Sequence, residues 1–279
     1  MSSSLLAALF ALAAAVSWGS GDFTNGLGSR RIGAFHALLI SLSIGLLAMV
    51  VLVAASREPV PVFADFFWGV LGGLFGLSGF IFLMQGFVKG RMSIVAPVSA
   101  VLAPVIPVII ATFTVGLPHT LQLVGFGLAL VSIWMLSGGS REQGKPSGIG
   151  LALLAGLGFG IFFATLDQIS EGVVFWPLLA SRLVASSVLA SYMLISRQPL
   201  IPAQTPWKLL TLAGVLDVGG NVFFLQAVQT GRLDIASVLV SLYPAVTVLL
   251  ATLIARERMT RLQVLGVLVA VTAIALITV

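Results

Sequence analysis

The sequence predicts an all-α integral membrane protein with ten transmembrane helices, arranged as two five-helix repeats of opposite orientation. Three observations predict it: a composition too apolar for water, ten separable apolar runs, and a self-similarity that holds at one offset along the chain. Of 279 residues, 59% are hydrophobic and only 8% charged, with a mean hydropathy of +1.15. A water-soluble domain carries about 25% charged residues to cover its surface. Lipid as the outer solvent removes that need.

A helix needs about 20 apolar residues to cross the hydrocarbon core. Such runs fall at 5–25, 33–55, 66–88, 92–115 and 120–138, and again at 148–168, 173–196, 207–229, 233–255 and 261–279. The first run resembles a signal-peptide core, but Met1-Ser2-Ser3-Ser4 offers no basic n-region and the apolar run continues into Trp18-Gly19-Ser20-Gly21. It is read as a retained helix. Turn chemistry at Arg57-Glu58-Pro59, Gly116-Leu117-Pro118 and Arg197-Gln198-Pro199 marks connections. The most linker-like stretch, 140–147, divides a first repeat at 1–139 from a second at 148–279.

At an offset of 141, Phe82, Gln85, Gly90, Arg91 and Ile94 fall on Phe223, Gln226, Gly231, Arg232 and Ile235. Leu121, Gln122 and Gly125 fall on Leu262, Gln263 and Gly266, and Trp18-Gly19 on Phe159-Gly160. Five spans per repeat is an odd number, so the second repeat enters the membrane from the opposite face. Inverted repeats recur among secondary transporters, with the site near mid-membrane at the repeat interface.

Loop charge sets the orientation. The loops after the odd-numbered spans hold Arg30, Arg31, Lys89, Arg91, Arg141, Lys145, Arg197, Lys208, Arg256, Arg258 and Arg261, against Arg57 and Arg232 on the other side. The positive-inside rule then puts both termini outside the cytoplasm, in a multi-pass protein of the cytoplasmic (inner) membrane. The net charge of +5 is scattered between apolar runs, without a basic stripe, so nucleic acid is not an expected partner. There is no cysteine, and hence no disulfide, thiolate metal site or cysteine nucleophile.

The chain resembles the ten-helix, EamA-like branch of the drug/metabolite transporter superfamily. The resemblance rests on Trp18-Gly19-Ser20, a small-residue-rich third span, Arg182 in the seventh, and Glu257-Arg258-Met259-Thr260 leading to Gln263 and Gly266. It implies a basket of helices around a central cavity, with the fifth and tenth at the periphery. Relatives move amino acids, nucleobases, sugars, drugs and other metabolites, often outward and often driven by protons. The first repeat departs from the pattern: Ser41 stands at the offset of Arg182, Gly116 at that of Glu257, and Gly21 where many relatives carry Asn.

Charged groups inside a bilayer usually face a cavity or a partner. Arg182 and Asp217 lie near the middle of consecutive spans. They read as a substrate-carboxylate anchor and a proton-titrating or amine-binding group, or as a structural ion pair. Asn221 follows Asp217 by one turn, and Trp18, Asp22 and Asn25 form a stripe on the first span, with Asp22 a gate or a link to His36. Gln85 and Gln226 are repeat equivalents suited to a gate or helix end, while Tyr243 and Trp176 are amphipathic aromatics that suit a cavity wall. Trp68 and Trp207, near span starts, suit interface belts.

Pro97, Pro104 and Pro107 in the fourth span and Pro244 in the ninth remove backbone hydrogen bonds. Pro104 and Pro244, aligned after a one-residue slip, are candidate hinges or static kinks. The glycine pairs 69/73, 72/76 and 156/160 suit close helix packing. Two distant histidines, with no HExxH, GxSxG or P-loop, point away from a metalloenzyme, a hydrolase or an ATP-driven pump. The expectation is a secondary active transporter, an exporter of a small metabolite or drug-like solute such as an amino acid, working by alternating access with proton coupling. It needs no cofactor or metal, and acts in lipid as a monomer or homodimer. A membrane-embedded enzyme and a non-transporting scaffold or sensor are the alternatives.

Overall fold

The computed structural model describes residues 3–89, 98–137, 148–254 and 260–277, and these fold into helices joined by short connections. In chain order they are α1 (Ser3–Ile32), α2 (Ala34–Ser56), α3 (Phe63–Lys89), α4 (Val105–Thr114), α5 (Thr120–Ser137), α6 (Ile149–Leu166), α7 (Phe175–Ile195), α8 (Trp207–Thr230), α9 (Leu233–Val240), α10 (Tyr243–Leu253) and α11 (Arg261–Ile277). Six of them, α1, α2, α3, α6, α7 and α8, are long and apolar enough to cross a membrane. Four shorter apolar stretches accompany them: Val98–Thr114, Thr120–Ser132, Leu233–Thr247 and Val264–Ala273.

Two of those shorter stretches are broken. A turn at 103–104 precedes α4, and one at 241–242 separates α9 from α10. The cause is local. Pro104 and Pro244 have no N–H to donate to the preceding turn, whereas the first turn of a new helix needs none there. Pro104 is accordingly the N-cap of α4, and Pro244 sits in the first turn of α10. Pro97 lies outside the described residues.

Packing pairs helices from opposite halves of the chain. The closest partners are α1 with α8, α3 with α6, α3 with α7, α2 with α7 and α8, and α5 with α11. The small residues sit where these helices cross. Gly79 makes room for the Phe159 ring, and Gly220 for Trp18. Gly73 lies against the Ser181 carbonyl and Val184, while Gly214 lies against the Ser41 carbonyl and Ile44. Gly160 meets Ala103 and Ile106, and Gly19 meets Tyr243 and Val246.

Each of these pairs of contacts is one joint made twice. The register is 141 for α1/α6 and α3/α8, but 140 for α2/α7 and for the segments around the two breaks. This register sets Ser41 opposite Ser181, and Leu42 opposite Arg182. The uniform offset therefore misplaces this helix pair by a residue: its Leu and Ser runs fit either register, and only Ser56-Arg57-Glu58-Pro59 against Ser196-Arg197-Gln198-Pro199 marks the offset of 140. It also sets Pro104 opposite Pro244. Even the connections repeat: Arg57 and Arg197, 140 residues apart, both take left-handed backbone (φ 55° and 53°) just past α2 and α7.

One end of the bundle carries the connections at 57–62, 115–119, 167–174 and 231–232, and these are tied together. The Glu58 carboxylate accepts hydrogen bonds from Val174 N (3.1 Å) and Phe175 N (3.0 Å), covering free amides at the start of α7. Asp65 Oδ1 accepts from Ser170 N at 2.8 Å. Gln229 Nε2 donates to the carbonyls of Ser170 (3.1 Å) and Val173 (2.9 Å). Arg232 donates to the Gly116 carbonyl (2.8 Å) and to Asp234 Oδ2 (2.9 Å). That bond to Asp234 raises the Arg232 pKa above its ordinary value. The Gly33 end lies opposite.

Candidate functional site

The site begins with two residue types that do not belong in lipid. Arg182 lies in the middle of α7 and Asp217 in the middle of α8, and their side chains form a salt bridge. Arg182 is buried, at 8% exposure. Desolvating both charges is costly, and the pair persists only because each supplies the other's counter-charge. Asn221, one turn after Asp217, is also buried and turns its amide back to the Asp217 carbonyl at 2.6 Å.

These residues face a central cavity of about 80 Å³. That is room for several waters. Its polar lining is Asp22, Ser181, Arg182, Asp217, Asn221 and the Tyr243 side chain. The rest is apolar, with the rings of Trp18, Phe80, Phe159, Phe162 and Phe163 its largest side chains. Trp18 stacks on Phe163 (ring centroids 5.8 Å apart, planes 12° apart) and leans on Phe162 at 6.3 Å and Phe224 at 5.7 Å. Phe80 and Phe159 meet edge to face at 5.4 Å. Gly72, Gly73 and Gly76 of α3 provide a side-chain-free strip of wall.

A second pocket of about 10 Å³, enough for about one water, adjoins the first toward the Gly33 end. The two share Trp18, Asp22, Leu42, Phe80 and Asp217, and the smaller one adds Asn25 and Ser41. Asn25 Oδ1 is buried without a hydrogen-bond partner. His36 Nε2 is buried and equally unpartnered, so this nitrogen makes no link to Asp22.

Of the residues singled out in the sequence, Arg182, Asp217, Asn221, Trp18, Asp22 and Tyr243 are brought together. Gln85, Gln226 and Trp176 do not line either pocket. Trp176 instead packs edge-on against Phe66 and donates its indole N–H to the Glu58 carbonyl at 3.1 Å, as part of the tied end. Its amphipathic ring suits a connection between helices as well as it suits a cavity, and sequence alone does not separate the two. Pro104 and Pro244 sit at the two breaks, next to the cavity residues Ala103 and Tyr243.

A model of the EamA-like transporter family matches the chain twice, over residues 5–138 and 146–279. The chain belongs to the EamA-like transporter family. Its two matches make this transporter an internal duplication within the drug/metabolite transporter superfamily. A solved structure described only as "Crystal structure of protein" superposes with a TM-score of 0.78 at 17% identity, covering 98% of each chain. At that identity the likeness shows the fold alone. No curated protein matches the sequence.

The aromatic wall of this EamA-like transporter was the part that sequence reading missed. Phe162 and Phe163 sit in an apolar run with nothing to distinguish them from lipid-facing neighbours. Their available signal was the duplication: at the offset of 141, Phe163 stands opposite Asp22 and Phe159 opposite Trp18. Glu58 and Asp65 carried no signal either, since their partners lie 116 and 105 residues away.

Proposed function

We propose that this transporter is a secondary active exporter that carries a small metabolite or drug-like solute across the cytoplasmic membrane by alternating access, coupled to protons. The observation that carries the reading is the Arg182–Asp217 pair, held mid-helix against an aromatic cavity where the two halves meet. In this reading the ten apolar stretches are ten spans, in two inverted repeats at 1–139 and 148–279 joined by 140–147. Crossing joints that recur with exchanged halves support it, as does the general occurrence of midplane sites at repeat interfaces.

The charge asymmetry of the loops makes the tied end the outer one, with both termini there. This conformation is then closed to the outside by Glu58, Asp65, Gln229 and Arg232, with the smaller pocket on the cytoplasmic side of the cavity. Pro104 and Pro244 are the hinges of the closure. As the cycle proceeds Asp217 exchanges Arg182 for a substrate group or a proton, and Trp18, Asp22, Asn221 and Tyr243 line the path.

Reconstitution in proteoliposomes tests it. With a substrate identified by thermal shift on the purified protein, Asp217→Asn abolishes pH-driven uptake while the protein remains folded. Uptake unchanged at every pH would remove Asp217 from both binding and coupling.

A further inference from the structure

Substrate charge is legible from the cavity's own charges. Among the residues lining the two adjoining pockets, three are charged: Arg182, Asp217 and Asp22. Arg182 is engaged by Asp217. Asp22 lines both pockets and, among the described residues, has no cation within salt-bridge distance. Trp18, Leu42 and Phe80 line both pockets with it, and the neutral Asn25 and Ser41 side chains add no counter-charge.

We propose that the cavity takes an organic monocation: a protonated amine with a flat or apolar body and no free carboxylate. The inference rests on this cavity being the substrate site. Ionising Asp22 beside Asp217 would set two carboxylates against one guanidinium in a low-dielectric space, an excess that no group of the lining cancels. Bringing in a cation cancels it, a zwitterion leaves it in place, and an anion doubles it. An anionic group would also have to take Arg182 from Asp217, stranding a second carboxylate.

The shapes agree with the charges. The pocket of about 10 Å³ between α1, α2 and α8 has the size of one ammonium group. Its acceptors are the carboxylates of Asp22 and Asp217 and the Ser41 hydroxyl, whose own proton goes to the Leu38 carbonyl at 3.1 Å. The buried, unpartnered Asn25 oxygen belongs to the same pocket. An ammonium brings three donors and no acceptor, and these oxygens can accept them. The larger, aromatic-walled cavity opens from it and takes the body of the molecule. Trp18, which lines both pockets, adds an aromatic ring that favours a cation further.

Three probes that share a phenyl ring and differ in charge provide the test: phenethylamine, phenylalanine and phenylacetate. Each is added at millimolar concentration to the purified full-length protein in detergent, and the shift in melting temperature is read. Phenethylamine gives the largest stabilisation, phenylalanine a smaller one and phenylacetate none. Asp22→Asn weakens the phenethylamine affinity at least about tenfold, and Asp22→Glu, which keeps the charge, retains most of it. The melting temperature without ligand certifies that both variants are folded. A phenylacetate shift equal to or above that of phenethylamine overturns the proposal. So does a phenethylamine shift that survives Asp22→Asn, or no shift from any probe. Phenylacetate or phenylalanine binding that disappears in Arg182→Gln would sink the cation class alone and leave the cavity as the substrate site. Shifts indifferent to Asp22→Asn and Arg182→Gln alike would remove the cavity itself.

Discussion

Gly220 beneath Trp18 and Gly79 beneath Phe159 are one joint built twice, yet the side chains around the two copies differ in kind. One turn before Gly220 comes Asp217, whose counterpart before Gly79 is Gly76. Arg182 stands opposite Leu42, Asn221 opposite Phe80, and Asp22 opposite Phe163. What repeats is the set of small residues that lets helices approach. What does not repeat is the charge. Close approach is needed at every crossing, because association in lipid depends on contact between the helices. A buried ion pair needs to exist once, and a second copy would double a desolvation cost that brings no packing. The two halves therefore share a scaffold and divide the labour: the second supplies Arg182, Asp217 and Asn221, and the first supplies Trp18 and Asp22.

Converting the second half toward the first should break this division, with the largest expected effect on stability. Arg182→Leu or Asp217→Gly alone leaves one buried charge without its partner, a loss of about 3–5 kcal/mol. The double variant, which carries the residues of the first half at both positions, should melt well above either single variant. Melting temperatures of the four proteins in one detergent provide the cycle. If the losses simply add, the two residues do not act as a pair. Transport should be absent in all three variants.

A smaller effect separates the two copies of another joint. Ser17 of α1 occupies the position that Gly158 has in α6, and its hydroxyl donates to the Leu216 carbonyl of α8 at 2.7 Å. Gly158 instead lies directly on the backbone of Gly79, where an added Cβ would come within 2.8 Å of the Gly79 nitrogen. Gly158→Ser should overpack this crossing by about 1–3 kcal/mol, while Ser17→Gly should cost about 1 kcal/mol or less. Equal melting temperatures for the two variants would show that the crossings are not as differently packed as they look.

Much of this was readable in the chain. Apolar runs long enough to span, and a match that holds register from Phe82 to Ile94, mark the helices and the duplication with no tertiary information. Arg182 and Asp217 stand out because a charge in mid-span has few innocent explanations. The cavity wall was harder. Phe162, Phe163, Gly72 and Gly76 read as ordinary packing residues, since the signal that separates cavity from lipid is the facing helix, and that helix lies across a repeat boundary. Trp176 is ambiguous in sequence for the same reason: its partner is the Glu58 carbonyl, far away in the chain. The one-residue slip of α2 against α7 is legible only just past the helices, where Ser56-Arg57-Glu58-Pro59 and Ser196-Arg197-Gln198-Pro199 match at an offset of 140, while the Leu and Ser within them fit either register.

Glu58 offers a way to compare the two ends of the molecule. Its carboxylate, from the first half, holds the start of α7 in the second, and Glu58→Ala should cost about 1 kcal/mol, as the loss of a helix cap does. The larger consequence is positional. The chain contains no cysteine, so a single Ser181→Cys reporter on the buried cavity wall can be introduced without removing any native thiol. With Glu58 intact, an impermeant maleimide applied from the tied end should label it slowly, and with Glu58→Ala the rate should rise. Unchanged labelling would mean that Glu58 caps α7 without closing that end.

The smallest effect is expected farthest from the cavity. There α5 and α11 pack chiefly on each other, and Ser132 donates to the Gly266 carbonyl at 2.9 Å. The counterpart of Ser132 is Ala273, which has no hydroxyl to offer Gly125. Even here the duplication has kept the contact and varied the polar group. Hydrogen bonds between helices in lipid average only about 0.6 kcal/mol, so Ser132→Ala should lower the melting temperature slightly and leave transport untouched. A marked loss of transport from that substitution would mean that the α5–α11 pair moves with the cavity helices, and that the division of labour between the halves extends to the edge of the bundle.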